Sequence, residues 1–243
     1  MKSIFLADAH LRDPDAQAYQ DLLSFLQKLP EDLDNLFILG DFFDFWHGFE
    51  TVVFRAYLPI LAALEKLAGQ GVKIHFFAGN HEISWGPYLE NLACCYAQEC
   101  IVELDGRKIY LAHGDRLNPD DRIYRLWSAF IRHPLSLRII NLLPSAWLWY
   151  LAGRLSHGSR TYNGTKKLIP AQVFQSCARI LAGTTAAMVI GHFHQARQET
   201  FISSHGPRTL YLLGDWINER SYLVLENGQF SFRSFHQSVG ETV

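Results

Sequence analysis

Residues 189–196 read VIGHFHQA: an apolar run, a glycine, then His192 and His194 on either side of a phenylalanine. An apolar run closed by glycine has the form of a buried strand giving way to a tight turn. The two histidines behind it are either part of a surface turn or a pair of metal ligands. The other strand ends of the chain decide between these readings.

Four more strand ends have the same form. SIFLA runs into Asp8 and His10, and NLFILG into Asp41 and Asp44. KIHFFAG runs into Asn80, His81 and Glu82, and IYLA into His113 and Asp115. Any one of these is an ordinary turn or helix cap. Five of them, each just past a buried strand, fall where α/β sheets bind ligands, beyond the carboxyl ends of the strands.

Working outward, residues 16–29 and 52–68 carry a helical period between the first three strands, which predicts a βαβαβ core layered by helices. CIVELDGRKIYLAHG and ERSYLVLENGQFSFRSF each hold two strands around Asp105-Gly106 and Asn227-Gly228, both hairpin signals. ETFISSHGPRTLYLLG reads as another such pair. Together they predict a second sheet packed on the first. Residues 120–155 break the scheme, being helical in period and dense in Trp, Leu and Ile, with Pro134 and Pro144 expected to divide them. Arg138, Asn141 and Pro144 interrupt the most apolar part, which falls short of the ~20 apolar residues of a spanning helix. Core helices and a cap with an apolar face for a lipid or a membrane surface are both open readings.

Composition narrows the function classes. A 243-residue chain that is 49% hydrophobic and 19% charged can bury a full core as one large domain or two small ones. Its net charge of -2 offers no basic field for nucleic acid, so phosphate chemistry would rest on local cations or metals. Cys94, Cys95, Cys100 and Cys177 show no C-x-x-C spacing and predict free thiols packed as small core residues in a reducing compartment. The stretch before Asp8 is too short for a secretory signal, so a cytosolic location is expected.

The residue types at the five strand ends name a chemistry. Carboxylate, imidazole and amide oxygen without thiolate suit Mn2+, Fe or Zn2+. Their number exceeds what one tetrahedral ion uses. Two ions ~3.5–4 Å apart, sharing a carboxylate, would use them all and would clamp a phosphoryl group.

In order from Asp8 to His194, the blocks D-x-H, G-D-x-x-D, G-N-H-E, H-G-D and G-H-x-H resemble the calcineurin-like metallophosphoesterases. That resemblance implies an α/β fold, a two-sheet αββα sandwich of residues 1–119 and 166–243, with 120–165 inserted as a helical cap. It implies two divalent metal ions, Mn2+ first, with Fe or Zn2+ as alternatives. Asp8, His10 and His194 would hold one, Asn80, His113 and His192 the other, and Asp41 would bridge. His81 would be the catalytic acid at the leaving oxygen, and Asp44, Glu82 and Asp115 would orient or hydrogen-bond their neighbours.

GDFFDFW with Trp46, HGDRLNPDD, Tyr124, GSRTYNGTKK and LLGDW extend the similarity to the UDP-2,3-diacylglucosamine hydrolase family of lipid A synthesis. The family commonly has Arg where this chain has His81. The similarity implies hydrolysis of the pyrophosphate of a UDP-activated diacyl sugar lipid, releasing UMP, by a monomer lying peripherally on the cytoplasmic face of the inner membrane, with no nucleic acid partner. It implies that Asn80, His81, Asp121, Tyr124, Ser159, Asn163, Lys166 and His192 bind substrate. Trp127, Phe130, Ile139, Leu142, Trp147 and Trp149 would wall the acyl chains, and Arg132, Arg138 and Arg154 would meet anionic head groups. A two-metal phosphodiesterase or phosphatase for another substrate, such as a nucleotide, is the alternative. An inactive scaffold is the third reading, and the filled ligand positions speak against it.

Overall fold

The computed structural model describes residues 1–162 and 168–236, side chains excepted at 155–162. The first half alternates strands and helices: β1 (Lys2–Leu6), α1 (Gln17–Gln27), β2 (Asn35–Leu39), β3 (Trp46–His47), α2 (Leu58–Gly69), β4 (Lys73–Phe77), β5 (Glu82–Ser84), α3 (Gly86–Leu92) and β6 (Cys94–Tyr96). A hairpin of β7 (Cys100–Leu104) and β8 (Arg107–Ala112) leads to three helices, α4 (Arg122–Ile131), α5 (Pro134–Leu142) and α6 (Ser145–Tyr162). The chain then runs through α7 (Ala171–Leu181), β9 (Ala187–Ile190), β10 (Arg197–Ser203), β11 (Gly206–Leu212), β12 (Ser221–Glu226) and β13 (Gln229–Ser234).

Two large sheets result, ordered β13-β12-β1-β2-β4-β6 and β10-β11-β9-β8-β7. β1, β2, β4 and β6 run parallel, as do β8, β9 and β11, so the five sequence blocks leave their strands at carboxyl ends. The strands alternate between two apolar surroundings. Phe5, Phe37 and Leu39 of the first sheet pack with Ile109, Leu111 and Val189 of the second. Ile4, Leu6, Leu36 and Ile38 face α1 and α2 instead, while Met188 and Ile190 face α7. This is the helix–sheet–sheet–helix sandwich expected. Both faces of the central strands are buried, and each such side chain contributes roughly 1.5–3 kcal/mol. The hairpin tips have φ of 46° and 70° at Asp105 and Gly106, and 52° and 74° at Asn227 and Gly228, as primed turns require.

Two expectations are corrected, and one of the two open readings of residues 120–155 falls. The second helix begins at Leu58, not at 52, because Pro59 suits a first turn and a 3-10 turn at Arg55–Tyr57 precedes it. The Tyr57 hydroxyl donates to Phe45 O at 2.8 Å, which fixes that turn. Of the four free thiols only Cys177 is buried; Cys94 is exposed on β6, an edge strand. The segment after residue 120 is not core. α4, α5 and α6 break at Pro134 and Pro144 and leave Ile123, Leu126, Trp127, Phe130, Ile139, Leu142 and Trp147 exposed. Among the described residues no helix is long and apolar enough to cross a membrane.

Candidate metal centre

The loops after β1 and β2 are joined by backbone hydrogen bonds from Asp8 N to Gly40 O (3.1 Å) and His10 N to Asp41 O (2.9 Å). The loop after β9 joins them when His192 N donates to Asp8 Oδ2 at 2.8 Å. Eight described non-glycine residues have positive φ, and five of them are Asp8, His10, Asp41, His192 and His194. Such backbone costs about 1–3 kcal/mol per residue and persists where the surroundings over-determine it. Here it turns five side chains inward.

Two clusters form. Asp8, His10 and His194 each offer a ligand atom within 4.8 Å of the others, as do Asp41, His113 and His192. Asn80 Oδ1 lies 3.3 Å from His113 Nε2, joining the second cluster. Asp41 Oδ2 stands between them, 3.5 Å from His113 Nε2 and 3.9 Å from Nε2 of both His10 and His81. His113 Nδ1–H donates to Leu39 O at 2.8 Å, which turns Nε2 toward the cluster. His10, Asp44 and His81 also approach one another, but Asp44 Oδ2 is engaged by Arg12 Nη1 at 3.0 Å.

The electrostatics favour a cation. Asp8 is fully buried, its Oδ1 receives no hydrogen bond, and burial raises its carboxyl to about 6. Burial opposes charge on His194, yet the Asp215 hydrogen bond and the Asp8 carboxylate raise it to about 9. His113 is likewise held well above its ordinary value: burial opposes its charge, but Asp41 overrides it. Burial and the neighbouring His113 push His192 down to about 4, keeping it neutral as a ligand must be. The carboxylates therefore draw positive charge into the cluster. Oxygen and nitrogen donors around an undonated buried carboxylate oxygen fit divalent metal ions.

Several contributors carry weaker sequence signals. Glu82 is wholly buried and accepts four backbone N–H bonds, from Asp41 (2.9 Å), Phe42 (3.0 Å), Phe43 (3.3 Å) and Gly79 (2.9 Å), tying two loops together. Burial and the Asp41 carboxylate still raise it to about 7. Asp215 Oδ2 meets His194 Nδ1 at 3.3 Å and orients that ring. Its signal was there: LLGDW repeats the pattern of an apolar strand followed by Gly-Asp. Arg12 and Arg132 have no comparable motif. Arg132, expected at lipid head groups, instead donates to the carbonyls of Gly79 and Glu82.

The substrate-site residues expected from the resemblance divide into two groups. Asp121 caps α4 by accepting Tyr124 N–H at 3.0 Å, and the Tyr124 hydroxyl donates to Asp115. The side chain of Ser159, together with Asn163 and Lys166, lies outside the described residues. Trp149, expected in the acyl wall, is half-buried: its ring packs on Phe54 at 4.5 Å and under Arg12 at 4.4 Å, so it anchors α6 to the core.

Gly79 meets a close approach that allows no side chain. A Cβ there would stand 2.5 Å from Asp41 N and nearer still to Asp41 Oδ1. Gly79→Ala is expected to displace Asp41 and to weaken binding of a divalent ion by at least roughly tenfold. Calorimetric titration of the metal-stripped protein checks this.

The chain matches the calcineurin-like phosphoesterase family model over residues 1–196. It is 30% identical over 236 residues to a protein of Nitrosococcus oceani named UDP-2,3-diacylglucosamine hydrolase, covering 96% of this chain and 94% of that one. A protein of the same name from Stutzerimonas stutzeri is 30% identical over 234 residues, covering 93% and 95%. An archaeal phosphodiesterase of known structure superposes with a TM-score of 0.51 at 11% identity, over 96% of this chain and 99% of that one, a likeness of fold alone. With an αββα sandwich and His/Asp clusters able to bind metal at its strand ends, the chain belongs to the calcineurin-like phosphoesterase family and is a hydrolytic enzyme.

Proposed function

We propose that this enzyme hydrolyses the pyrophosphate of UDP-2,3-diacylglucosamine to UMP and the diacyl sugar 1-phosphate. Asp8, His10 and His194 would hold one divalent ion and Asn80, His113 and His192 a second, with Asp41 serving both, and Mn2+ would suit the carboxylate and amide oxygens of the set. Such a pair supplies the positive field that binds the phosphoryl group and lowers the pKa of water.

The chain's own residues do the rest. His81 Nδ1–H is held by Asp44 O at 2.6 Å, which aims Nε2 toward Asp41. Burial opposes charge on His81, but Asp41 and the Asp44 carbonyl raise its pKa, so the ring can carry a proton for the leaving oxygen. Asp215 and the Leu39 carbonyl keep His194 and His113 oriented. Residues 120–165 act as the cap, at the membrane surface of the cytoplasmic face.

One observation carries the lipid reading: the exposed apolar exterior of α4–α6 is anchored directly to the loops of the centre. Asn141 of α5 meets His47 at 2.6 Å, and Trp149 and Arg132 bind as described. A small soluble substrate has no use for that exterior. A diacyl substrate gains roughly 0.8 kcal/mol for each methylene it buries there. The relatives named for this lipid support the same substrate.

The Trp127→Gln/Trp147→Gln variant is therefore expected to raise the KM for the lipid roughly fifteenfold, the loss of two methylenes' burial, or about 1.6 kcal/mol. Its turnover of bis(4-nitrophenyl) phosphate is expected to stay at the parent rate. Equal loss on both substrates would remove the acyl-receptor role.

A further inference from the structure

The helical segment does more than present an apolar exterior. Arg132, the residue that closes α4, turns inward rather than to solvent. Its Nη2 donates to Gly79 O and to Glu82 O (3.0 Å), while Nη1 donates to Ser128 Oγ, itself buried one helical turn earlier. The two carbonyls bracket Asn80 and His81. A single guanidinium nitrogen thus pins both ends of the loop that carries the metal-facing amide and the acid. Both hydrogens of Nη2 are then used, and the buried Nε has no acceptor.

A second arginine reaches the His81 ring through the loop after β2. Arg12 Nη1 pairs with Asp44 at 3.0 Å, and Asp44 is the residue whose carbonyl holds the His81 ring at 2.6 Å. Arg12 Nη2 donates to Trp149 O of α6 at 3.0 Å, and its guanidinium lies 4.4 Å from the centre of the Trp149 ring. Gly153, one turn further along α6, is buried, and any side chain there would collide with the Arg12 guanidinium. The His81 ring therefore has two routes to the cap, through Gly79/Glu82 and Arg132 to α4, and through Asp44 and Arg12 to α6.

We propose that Arg132 and Arg12 are positioning residues through which the helical cap sets the Asn80–His81 loop, so that cap docking completes the hydrolytic centre. The assignment rests on the proposed function for the role of His81, but the contacts are this chain's own. A head-group arginine would bind substrate and leave the chemistry on other substrates alone. A positioning arginine changes the chemistry for every substrate.

The test uses the full-length Mn2+-loaded enzyme and its Arg132→Met variant, with the lipid and with bis(4-nitrophenyl) phosphate. We expect kcat to fall roughly 10–100-fold on both substrates, the range seen when a residue supporting a metal ligand is lost, with KM for the lipid unchanged. Calorimetric titration of the metal-stripped variant is expected to give weaker Mn2+ binding, because Asn80 moves with the loop. An unchanged kcat on the soluble diester with a raised lipid KM would overturn the proposal and return Arg132 to the head group. Unchanged kcat and Mn2+ affinity would overturn it as well. If Arg132→Met fails to fold, Arg132→Lys is measured instead; it cannot reproduce the Arg fork, and parent values of kcat and Mn2+ affinity would overturn the proposal. If the parent enzyme leaves the lipid untouched, the substrate assignment falls, while the soluble-diester and Mn2+ measurements still decide the role of Arg132.

Discussion

Asp41→Asn is expected to lower turnover of any phosphodiester by more than about 100-fold, a larger loss than for residues that only support a ligand. The side chain is fully buried and faces three imidazoles through Oδ2, while Oδ1 accepts the His81 N–H at 3.0 Å. Asparagine preserves the shape and can keep the bond to His81. It cannot keep the charge, and it turns either an amide oxygen or an NH2 group toward sites that call for an anion. The bond between His10 N and Asp41 O is made by the backbone, so the loop itself should survive. Steady-state kinetics at saturating Mn2+, paired with calorimetric counting of bound ions, checks both parts. A rate near that of the parent would mean that Asp41 is not shared between two ions.

Glu82→Gln is the largest expected loss of stability. The Glu82 carboxylate, wholly buried, accepts four backbone N–H bonds from two loops. Glutamine has one acceptor oxygen, and its NH2 group would point at N–H donors. Two stranded donors cost roughly 2–6 kcal/mol together. For a chain of this size that corresponds to a fall in Tm on the order of 10 °C, read by scanning calorimetry of the metal-free protein. An unchanged Tm would mean that Glu82, raised to about 7 by burial and Asp41, sits in the fold as the neutral acid.

The sandwich and its strand ends are legible in the sequence for a simple reason. Strands buried on both faces must be apolar along their buried run, as in LFIL of β2, so the point where polar residues begin again marks the carboxyl edge. Asp8, Asp41, His113 and His192 stand at those edges and could be read directly. Glu82 was visible as a residue, but its role depends on four N–H groups, three of which belong to a loop some forty residues away. Arg12 and Arg132 were harder still, since an arginine that binds carbonyls has the same letter as one that meets solvent. The apolar content of 120–155 was plain, and its exposure was not, because helical period alone does not say which side of a helix another element covers. Trp149 shows the difference: two residues from Trp147 on the same helix, it turns inward to the core while Trp147 is exposed.

The most direct measurement is UMP release from UDP-2,3-diacylglucosamine by the purified, metal-stripped enzyme, with Mn2+ added back and bis(4-nitrophenyl) phosphate run in parallel. Fast, Mn2+-dependent UMP release with a sluggish soluble diester is the result expected from a two-metal centre fed by an apolar cap. Hydrolysis of the soluble diester with no UMP released would contradict the lipid assignment and leave the His192–His194 centre serving another phosphoester.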